Sequence, residues 1–372
     1  MSEASNSNIR FICINCYSTI DAEEDLTKTK QICPHCGNPV RVPKASLKYG
    51  EMINQYKVEK FIGVGGMGEV YQATDSEDGR SVALKIIRPE VINEEEIESF
   101  KKEIRMNLRV SHNNFVKAYE AGTDEKGRNF LALEYVKGRS LEDHIIKRGR
   151  FEEDHALSII LTVAKALCSA WKNWKIIHRD IKPSNILITQ SNVVKIMDLG
   201  ISTPEAENAE ETYIIGTPYY MSPEQIRTPS KIDQRSDIYS LGATLYELLT
   251  GMEPFQGADS DNIYNSVLND KPKDPKILRP KLSPETCALI EKFMQKDMNR
   301  RPSDWDEAIK DIEMVMNRHE HTDLSNPGKL DPSMIYCMNN DMKSYSKFII
   351  LGVIGAAAFL GFAFWIVKTA VP

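Results

Sequence analysis

The sequence has a small net charge, only seven cysteines and a single long apolar run. Its 47 basic and 53 acidic residues leave a net charge of −6. Because this balance provides no general basic field, sequence-independent binding to nucleic acid is not expected. The first eleven residues lack a basic segment followed by an apolar one, so we expect no secretory signal peptide. With 41% hydrophobic and 27% charged residues, the composition is that of a globular protein.

Four of the seven cysteines lie in the first forty residues. They form two C-x-x-C pairs, Cys13 with Cys16 and Cys33 with Cys36, and sixteen residues separate the pairs. This spacing can present four thiolates to one tetrahedral Zn²⁺ ion, and residues 9–43 resemble a zinc ribbon. A segment this short cannot be stabilised by a hydrophobic core alone and needs a metal to supply folding free energy. We therefore favour a zinc-stabilised folding unit that binds a partner protein. Nucleic-acid contact and a redox or iron site remain alternatives, and the three scattered cysteines are expected to be thiols of a reducing compartment.

The single long apolar run lies near the end of the sequence. The twenty residues from Phe348 to Val367 contain no charge and are bracketed by Lys347 and Lys368. At about 1.5 Å per residue they form a helix of roughly 30 Å, which matches the hydrocarbon thickness of a bilayer. We therefore predict one transmembrane helix, with a buried core helix as the alternative. Small residues spaced four apart in this helix would allow it to pack against a second copy, so a homodimer is a further alternative.

A glycine-rich stretch, "IGVGGMGEV", carries the pattern G-x-G-x-x-G at Gly63, Gly65 and Gly68. The pattern alone also occurs in dinucleotide-binding folds, where it leads from a strand into a helix. Here the residues that follow alternate like a strand, which favours a hairpin lying over phosphates. Lys85 offers a cation to those phosphates, and Glu103 on the next predicted helix is its natural partner.

The stretch "IIHRDIKPSNILI" at 176–188, followed by "KIMDLG", combines the residues that phosphoryl transfer requires. That reaction needs a carboxylate to orient a hydroxyl, metal ligands beside the phosphates, and cations that stabilise charge on the oxygens. Asp180 can fill the first role, Asn185 with Asp198 the second, and Lys85 with Lys182 the third.

Together these motifs resemble the eukaryotic-type protein kinases, and in particular the bacterial serine/threonine kinases, from about residue 56 to residue 312. The resemblance implies an α+β fold of two lobes, a β-rich N-lobe and a helical C-lobe, with ATP and Mg²⁺ between them. It implies that Asp180 is the catalytic base and that Lys85, paired with Glu103, contacts the α- and β-phosphates. Asn185 and Asp198 are then the Mg²⁺ ligands.

The resemblance also implies the nucleotide site and the substrate class. Leu133 is the expected gatekeeper, and the expected ATP-binding residues are Ile62, Gly63, Val64, Gly65, Gly66, Gly68, Val70, Ala83, Lys85, Glu134, Val136 and Leu187. Lys182 in "DIKPSN" is the form found in kinases that phosphorylate serine and threonine, so protein substrates with those hydroxyls are expected. The substitutions Leu199, Ser222 and Leu84 depart from the usual family residues, but none removes a catalytic group.

Further expectations concern regulation and support of the site. The activation segment comprises residues 201–224. Arg179, directly before Asp180, is expected to pair with an anion from this segment, which indicates control by phosphorylation. The candidate positions are Thr212 first, Thr203 second, and Thr217. Glu224 is expected to pair with Arg301, and Asp237 to brace the catalytic loop.

The predicted organisation has five parts: a zinc ribbon at 9–43, a kinase domain at 56–316, a polar juxtamembrane linker at 317–347, a transmembrane helix at 348–367 and a short extracytoplasmic tail at 368–372. Because ATP and reduced thiols are cytoplasmic, we expect a single-pass protein of the cell membrane with ribbon and kinase domain in the cytoplasm. Two other function classes remain: a pseudokinase scaffold and a small-molecule phosphotransferase of the same fold.

Overall fold

The computed structural model describes residues 8–13, 19–23, 29–34, 37–65, 68–87, 108, 110–198, 217–257 and 259–324. The chain divides into two compact units, Met1–Met316 and Asn317–Pro372. The predicted transmembrane helix at 348–367 and the tail after it lie outside the described residues. Within the described ranges, no helix combines the length and apolar character that a bilayer crossing requires.

Thirteen strands occur in the described residues. They are β1 (Asn8–Ile12), β2 (Thr19–Glu23), β3 (Lys30–Ile32), β4 (Pro39–Arg41), β5 (Met52–Ile53), β6 (Tyr56–Gly65), β7 (Gly68–Asp75), β8 (Ser81–Ile87), β9 (Ala118–Thr123), β10 (Asn129–Glu134), β11 (Gly138–Ser140), β12 (Ile186–Thr189) and β13 (Val194–Ile196). Eight of them form one sheet in the order β2-β1-β6-β7-β8-β10-β9, with β5 also paired to β6. The strands predicted around the glycine-rich stretch are confirmed as β6, β7 and β8.

The main sheet buries one face as the N-lobe core. Along β7, Tyr71 and Ala73 are fully buried while Val70, Gln72 and Thr74 are only partly covered. Because buried and partly covered residues alternate along the strand, successive side chains lie on opposite faces of the sheet. The buried side joins residues of β6, β8 and β10 in one apolar cluster, so the hydrophobic pattern of the sequence sets the register of the N-lobe.

The N-terminal segment folds as two short hairpins, β1 with β2 and β3 with β4. Cys13 and Cys33 lie buried in one small apolar cluster with Phe11, Ile20 and Val40. Cys33 is part of a tight turn, since its carbonyl accepts a 3.0 Å hydrogen bond from the Gly37 N–H and its own N–H donates to Asn38 O at 2.8 Å. Gly37 adopts φ 72°, a conformation that glycine reaches without strain. Cys16 and Cys36 lie outside the described residues.

The helical lobe contains eight described α-helices. They are α1 (Leu141–Arg148), α2 (Glu153–Trp174), α3 (Pro223–Arg227), α4 (Gln234–Thr250), α5 (Ser260–Asn269), α6 (Pro275–Leu278), α7 (Pro284–Phe293) and α8 (Trp305–Leu324). Helix α8 continues past 316, the predicted end of the kinase domain, into residues that we expected to form a linker. The predicted change from a sheet-rich first half to a helical second half is confirmed.

Sequence signals explain where the principal helices begin and end. Ser140 caps α1 in a capping box with Asp143, and Gly149 ends the helix at φ 87°. Helix α4 is buried along its length from Ser236 to Thr250, so it is the central element against which α2 and α7 pack. A helix that is enclosed on all sides can hold other elements in fixed positions, which matters for the catalytic loop.

Glu247 is a buried carboxyl group on α4 that accepts a hydrogen bond from the Tyr220 hydroxyl. Burial, reinforced by the negative charge of Glu253, raises the pKa of Glu247 from its usual 4.5 to about 8. Between these two values the folded protein keeps this proton while the unfolded chain releases it. Stability from this group is therefore present at low pH and declines as the pH rises towards 8.

We expect Glu247→Gln to remove this pH dependence. Relative to Glu247→Gln, the wild-type free energy of unfolding should fall by up to about 1.4 kcal/mol per pH unit between about pH 5 and pH 8. Denaturant titrations of both proteins at several pH values measure the difference. Parallel profiles over this range would contradict the assignment.

Candidate active site

The glycine-rich hairpin is formed by β6 and β7, which pair with Gly65 opposite Gly68. A Cβ atom on Gly68 would lie 2.0 Å from the carbonyl oxygen of Ile86, so a side chain there is excluded by backbone. Val70 lies opposite Lys85 in the pairing of β7 with β8. The structure thus brings the predicted glycines and the predicted lysine onto three adjacent strands, with Gly66 outside the described residues.

Gly63 has a neighbour that the sequence did not predict. A Cβ atom on this residue would lie 2.5 Å from the carbonyl oxygen of Arg10 in β1. The absence of a side chain at Gly63 therefore permits the N-terminal strand to pair with β6. No local sequence signal links Arg10 to Gly63, because the two residues are far apart in the chain.

The apolar side chains of the expected nucleotide site, including the gatekeeper, lie on both lobes and are partly covered. Ile62, Val64, Val70, Ala83 and Leu133 come from the N-lobe sheet and Leu187 from β12, and none of them is fully buried. Glu134 ends β10, and its carboxylate accepts a 2.8 Å hydrogen bond from Lys195 Nζ. Val136 follows in the segment between β10 and β11. Apolar surface of this kind between two lobes suits the flat faces of a nucleobase.

Lys85 and Asp198 form an ion pair, with Nζ 3.1 Å from Oδ1. The lysine side chain is only 10% exposed, so its charge acts in a partly desolvated site. The positive charge of Lys85 holds the pKa of Asp198 below its usual range, against the opposing effect of burial. The site therefore holds an anion, Asp198, that suits a metal ion next to a cation, Lys85, that suits a phosphate group. Glu103, the predicted partner of Lys85, lies outside the described residues.

Asp180 is held by three neighbouring groups. Lys182 Nζ lies 2.8 Å from Asp180 Oδ2, and the Asn185 amide donates to the same oxygen at 2.9 Å. The Thr217 N–H donates to the other oxygen, Oδ1, at 3.3 Å. Burial opposes ionisation, but the charge and hydrogen bond of Lys182 outweigh it and lower the pKa of Asp180. The carboxylate is therefore ionised and oriented, as a base that positions a hydroxyl must be.

Asp237, near the start of α4, braces the catalytic loop as predicted. Its two carboxylate oxygens accept 2.7 Å hydrogen bonds from the backbone N–H groups of His178 and Arg179. Arg179 has φ 68°, a strained conformation for a residue with a side chain, and these hydrogen bonds help to hold it. Burial raises the pKa of Asp237, although the two N–H donors act in the opposite direction.

Two further residues support the loop, and the sequence analysis assigned no role to either. His178 is fully buried, and its Nε2 lies 3.0 Å from the carbonyl oxygen of Met197, directly before Asp198. Gln225 on α3 donates through Nε2 to the carbonyl oxygen of Arg179 at 2.9 Å. His178 belongs to the quoted catalytic motif and could have been noticed there. Gln225 offers no such signal, because its role depends on the packing of α3.

Arg179 has a buried Nε atom with no hydrogen-bond partner among the residues that the structure describes. Burial lowers the pKa of its guanidinium, with the nearby charge of Asp237 acting against this. A buried cation of this kind is stabilised by an additional anion. Of the predicted phosphorylation sites, Thr203 and Thr212 lie outside the described residues. Thr217 accepts a hydrogen bond from Lys182 Nζ, so it contacts the catalytic loop itself.

The donor atoms of Asn185 and Asp198 suit the predicted Mg²⁺. Asn185 uses its amide N–H₂ on Asp180, which leaves its amide oxygen as a ligand, and Asp198 supplies a carboxylate. Mg²⁺ suits one or two such oxygens together with substrate phosphates. Within the described ranges, no group of three or more His, Cys, Asp or Glu side chains is placed to hold a metal ion.

The chain is similar to known protein kinases in sequence and in fold. Residues 56–317 match the protein kinase domain family. A "probable serine/threonine-protein kinase" of Clostridium perfringens is 38% identical over 265 residues, which cover 70% of this chain and 38% of the relative. The serine/threonine-protein kinase PknB of Mycobacterium tuberculosis is 33% identical over 272 residues, covering 71% and 43% respectively.

A solved structure supports the fold independently. The crystal structure of the Mycobacterium tuberculosis PknI kinase domain aligns with a TM-score of 0.59 at 23% identity, covering 72% of this chain and 99% of that one. The two-lobed architecture is therefore shared. The chain spans only 38% and 43% of the length of the two curated relatives above.

Proposed function

We propose that this chain, which belongs to the protein kinase family through residues 56–317, transfers the γ-phosphoryl group of ATP to serine and threonine hydroxyls of proteins. The observation that carries the proposal is the position of Asp180. Its carboxylate is ionised, held by Lys182 and Asn185, and belongs to the same site as the ion pair of Lys85 with Asp198.

The proposed roles of the residues are supported by this geometry. When bound, Mg²⁺·ATP supplies the phosphoryl group and neutralises part of its charge. Lys85 provides a cation for the phosphate oxygens, and Asn185 and Asp198 provide oxygen ligands. Asp180 accepts a hydrogen bond from the substrate hydroxyl and receives its proton as the hydroxyl oxygen bonds to the γ-phosphorus and the bond between that phosphorus and the bridging oxygen of the leaving ADP breaks. Lys182 stabilises the carboxylate and the developing negative charge beside it.

Transfer to serine and threonine is supported by the surroundings of Lys182. Its ammonium group contacts both Asp180 and the Thr217 hydroxyl, so Thr217 of the activation segment lies next to the base. The test is phosphoamino-acid analysis of a basic protein incubated with the purified full chain, Mg²⁺ and γ-labelled ATP. We expect label on serine and threonine. Label on tyrosine alone, or none on protein, would contradict the proposal.

We also propose that the kinase phosphorylates its own activation segment, with Thr212 the first candidate, Thr203 the second and Thr217 the third. The buried Nε atom of Arg179, which has no partner in the described part of the chain, supports an anion at this place. Mass spectrometry of the active protein should find phosphate in residues 201–217. An active preparation without phosphate in this range would contradict autophosphorylation.

Zinc binding by Cys13, Cys16, Cys33 and Cys36 is a further proposal. It is supported by the burial of Cys13 and Cys33 in one cluster and by the tight turn at Cys33. We expect native mass spectrometry of the full chain to find one Zn²⁺ per protein, and Cys33→Ser to reduce this occupancy markedly. Cys168→Ser is the matched control, because that thiol lies apart in the helical lobe. Equal zinc content in the wild type and Cys33→Ser would exclude the site.

The apolar segment at 348–367 is proposed to anchor the chain in the cell membrane, with the ribbon and kinase domain in the cytoplasm and an optional homodimer through the helix. Its length and lack of charge support this proposal. Fractionation of cells provides the test. The full chain should sediment with membranes and a chain ending at 347 should not; an equal distribution of both would contradict the anchor.

A further inference from the structure

The N-terminal strand β1 lies beside the strand that leads into the glycine-rich loop. It pairs with β6 in the parallel direction, with Arg10 opposite Gly63 and Phe11 opposite Val64. Val64 packs against the apolar cluster that contains Phe11 and Cys13. The N-terminal segment therefore extends the N-lobe sheet at the edge that carries the nucleotide-covering loop.

The same hairpin also contacts the helical lobe. The Arg10 guanidinium donates to the carboxylate of Asp143 on α1, and the Thr19 hydroxyl donates to Glu142 Oε1 at 3.0 Å. Helix α1 belongs to the helical lobe, since Leu141 and Ile145 are part of its apolar core. Strands β1 and β2 thus connect the glycine-rich strand of one lobe with the first helix of the other.

Arg10 is held in position for this contact. Within the hairpin its Nε lies 2.9 Å from Asp21 Oδ1, and its Nη2 lies 3.0 Å from Asp21 Oδ2. Asp143 is partly buried, and the charge and hydrogen bond of Arg10 help to lower its pKa against the effect of burial. Asp21 and Asp143 thus share one guanidinium, and such charge-assisted bonds are stronger than neutral ones.

The N-lobe side of the connection is anchored a second time. Between the ribbon and β5, the backbone N–H of Ser46 donates to Glu69 Oε2 at 3.0 Å, and that of Leu47 donates to the Tyr71 hydroxyl at 3.1 Å. Leu47 is buried in the N-lobe core. Because β1 pairs with β6 and the segment after the ribbon is bonded to β7, movement of the N-lobe relative to the helical lobe acts on the contacts of the hairpin with α1.

From these contacts we propose that the N-terminal hairpin is a positioning element for nucleotide, in which Arg10 ties the glycine-rich strand to α1 and slows the release of ADP. Kinase lobes and glycine-rich loops open and close around nucleotide, and product release often limits turnover. The bonds from Arg10 and Thr19 exist at the lobe separation seen here and are lost when the lobes separate. Their free energy therefore favours the arrangement that encloses nucleotide.

The proposal rests on the kinase activity proposed above and is tested by nucleotide kinetics in the full chain. Arg10→Ala and Asp143→Asn should each raise the KM for ATP and the dissociation rate of a fluorescent ADP analogue by roughly three- to tenfold, with kcat unchanged or higher. In Asp143→Asn the amide oxygen can still accept the hydrogen bond from the Ser140 N–H, so the capping box of α1 is kept. The double variant should be no worse than either single one, because both remove the same bond.

Asp21→Asn is the matched control. The asparagine keeps one oxygen that accepts a hydrogen bond from Arg10 and so still positions it, and the bond to Asp143 remains, so the nucleotide constants should stay within about twofold of wild type. Unchanged KM and ADP dissociation in Arg10→Ala and Asp143→Asn would overturn the proposal, whatever their melting temperatures. Tighter nucleotide binding in either variant would also overturn it, since the hairpin would then obstruct the site. A wild-type chain that binds nucleotide but transfers no phosphate would instead refute the proposed activity.

Discussion

Replacing Asp180 with asparagine is expected to lower kcat for phosphoryl transfer by about 10²–10⁴-fold, the usual contribution of a positioned general base. The asparagine side chain has nearly the same shape and keeps one oxygen for the hydrogen bonds from Asn185 and Lys182. It cannot accept a proton from the substrate hydroxyl. Nucleotide binding depends mainly on other residues, so the KM for ATP should change only a few-fold.

Steady-state transfer of labelled phosphate to a basic protein measures this effect, and nucleotide fluorescence titration measures binding. Asp261→Asn is the control, because Asp261 is exposed at the start of α5 and distant in sequence from the catalytic loop. It should retain wild-type activity. If Asp180→Asn and Asp261→Asn were equally active, Asp180 could not be the base, and a pseudokinase or another reaction would have to be considered.

The second large effect is expected for the buried ion pair between Arg301 and Glu224. Arg301 Nη1 and Nη2 lie 2.6 Å and 2.8 Å from the two oxygens of Glu224, and the side chains are 0% and 6% exposed. Replacing Arg301 with methionine leaves a buried carboxylate without its cation. We expect the free energy of unfolding to fall by about 3–5 kcal/mol, the usual result of removing one partner of a buried pair.

Denaturant unfolding of the purified chain provides the measurement. Lys165→Met is the matched control, because Lys165 pairs with Glu313 where both side chains are about half exposed, at 53% and 45%. That variant should lose less than about 1 kcal/mol. Adding Glu224→Gln to Arg301→Met should recover part of the loss, since a neutral amide is less costly to bury than a carboxylate. An unfolding midpoint for Arg301→Met equal to that of wild type would contradict this interpretation.

Short-range patterns in the sequence were sufficient to predict the catalytic loop. Asp180, Lys182 and Asn185 lie within six residues of one another, so the turn that joins them also brings their side chains together. The pairs of Arg301 with Glu224 and of Asp237 with the catalytic loop were also predicted correctly, through the resemblance to protein kinases. In the first pair a buried carboxylate has a side-chain partner of opposite charge, and in the second it accepts hydrogen bonds from two backbone N–H groups.

Other features could not be read from the sequence. The contact of Gln225 with the Arg179 carbonyl depends on the placement of α3. Gly63 was assigned only to phosphate binding, although its missing side chain also admits the backbone of Arg10. These contacts join residues distant in the chain and involve backbone groups, which carry no residue-specific signal.

The order of the motifs along the chain therefore established the kinase family, the two lobes and the candidate catalytic groups, because each motif is a local arrangement of side chains with defined chemistry. Only the tertiary structure placed the N-terminal hairpin on β6 and α1. That placement depends on strand pairing at a glycine and on one guanidinium shared between Asp21 and Asp143. Backbone pairing can be made by almost any sequence, so its partner is decided only when the whole chain has folded.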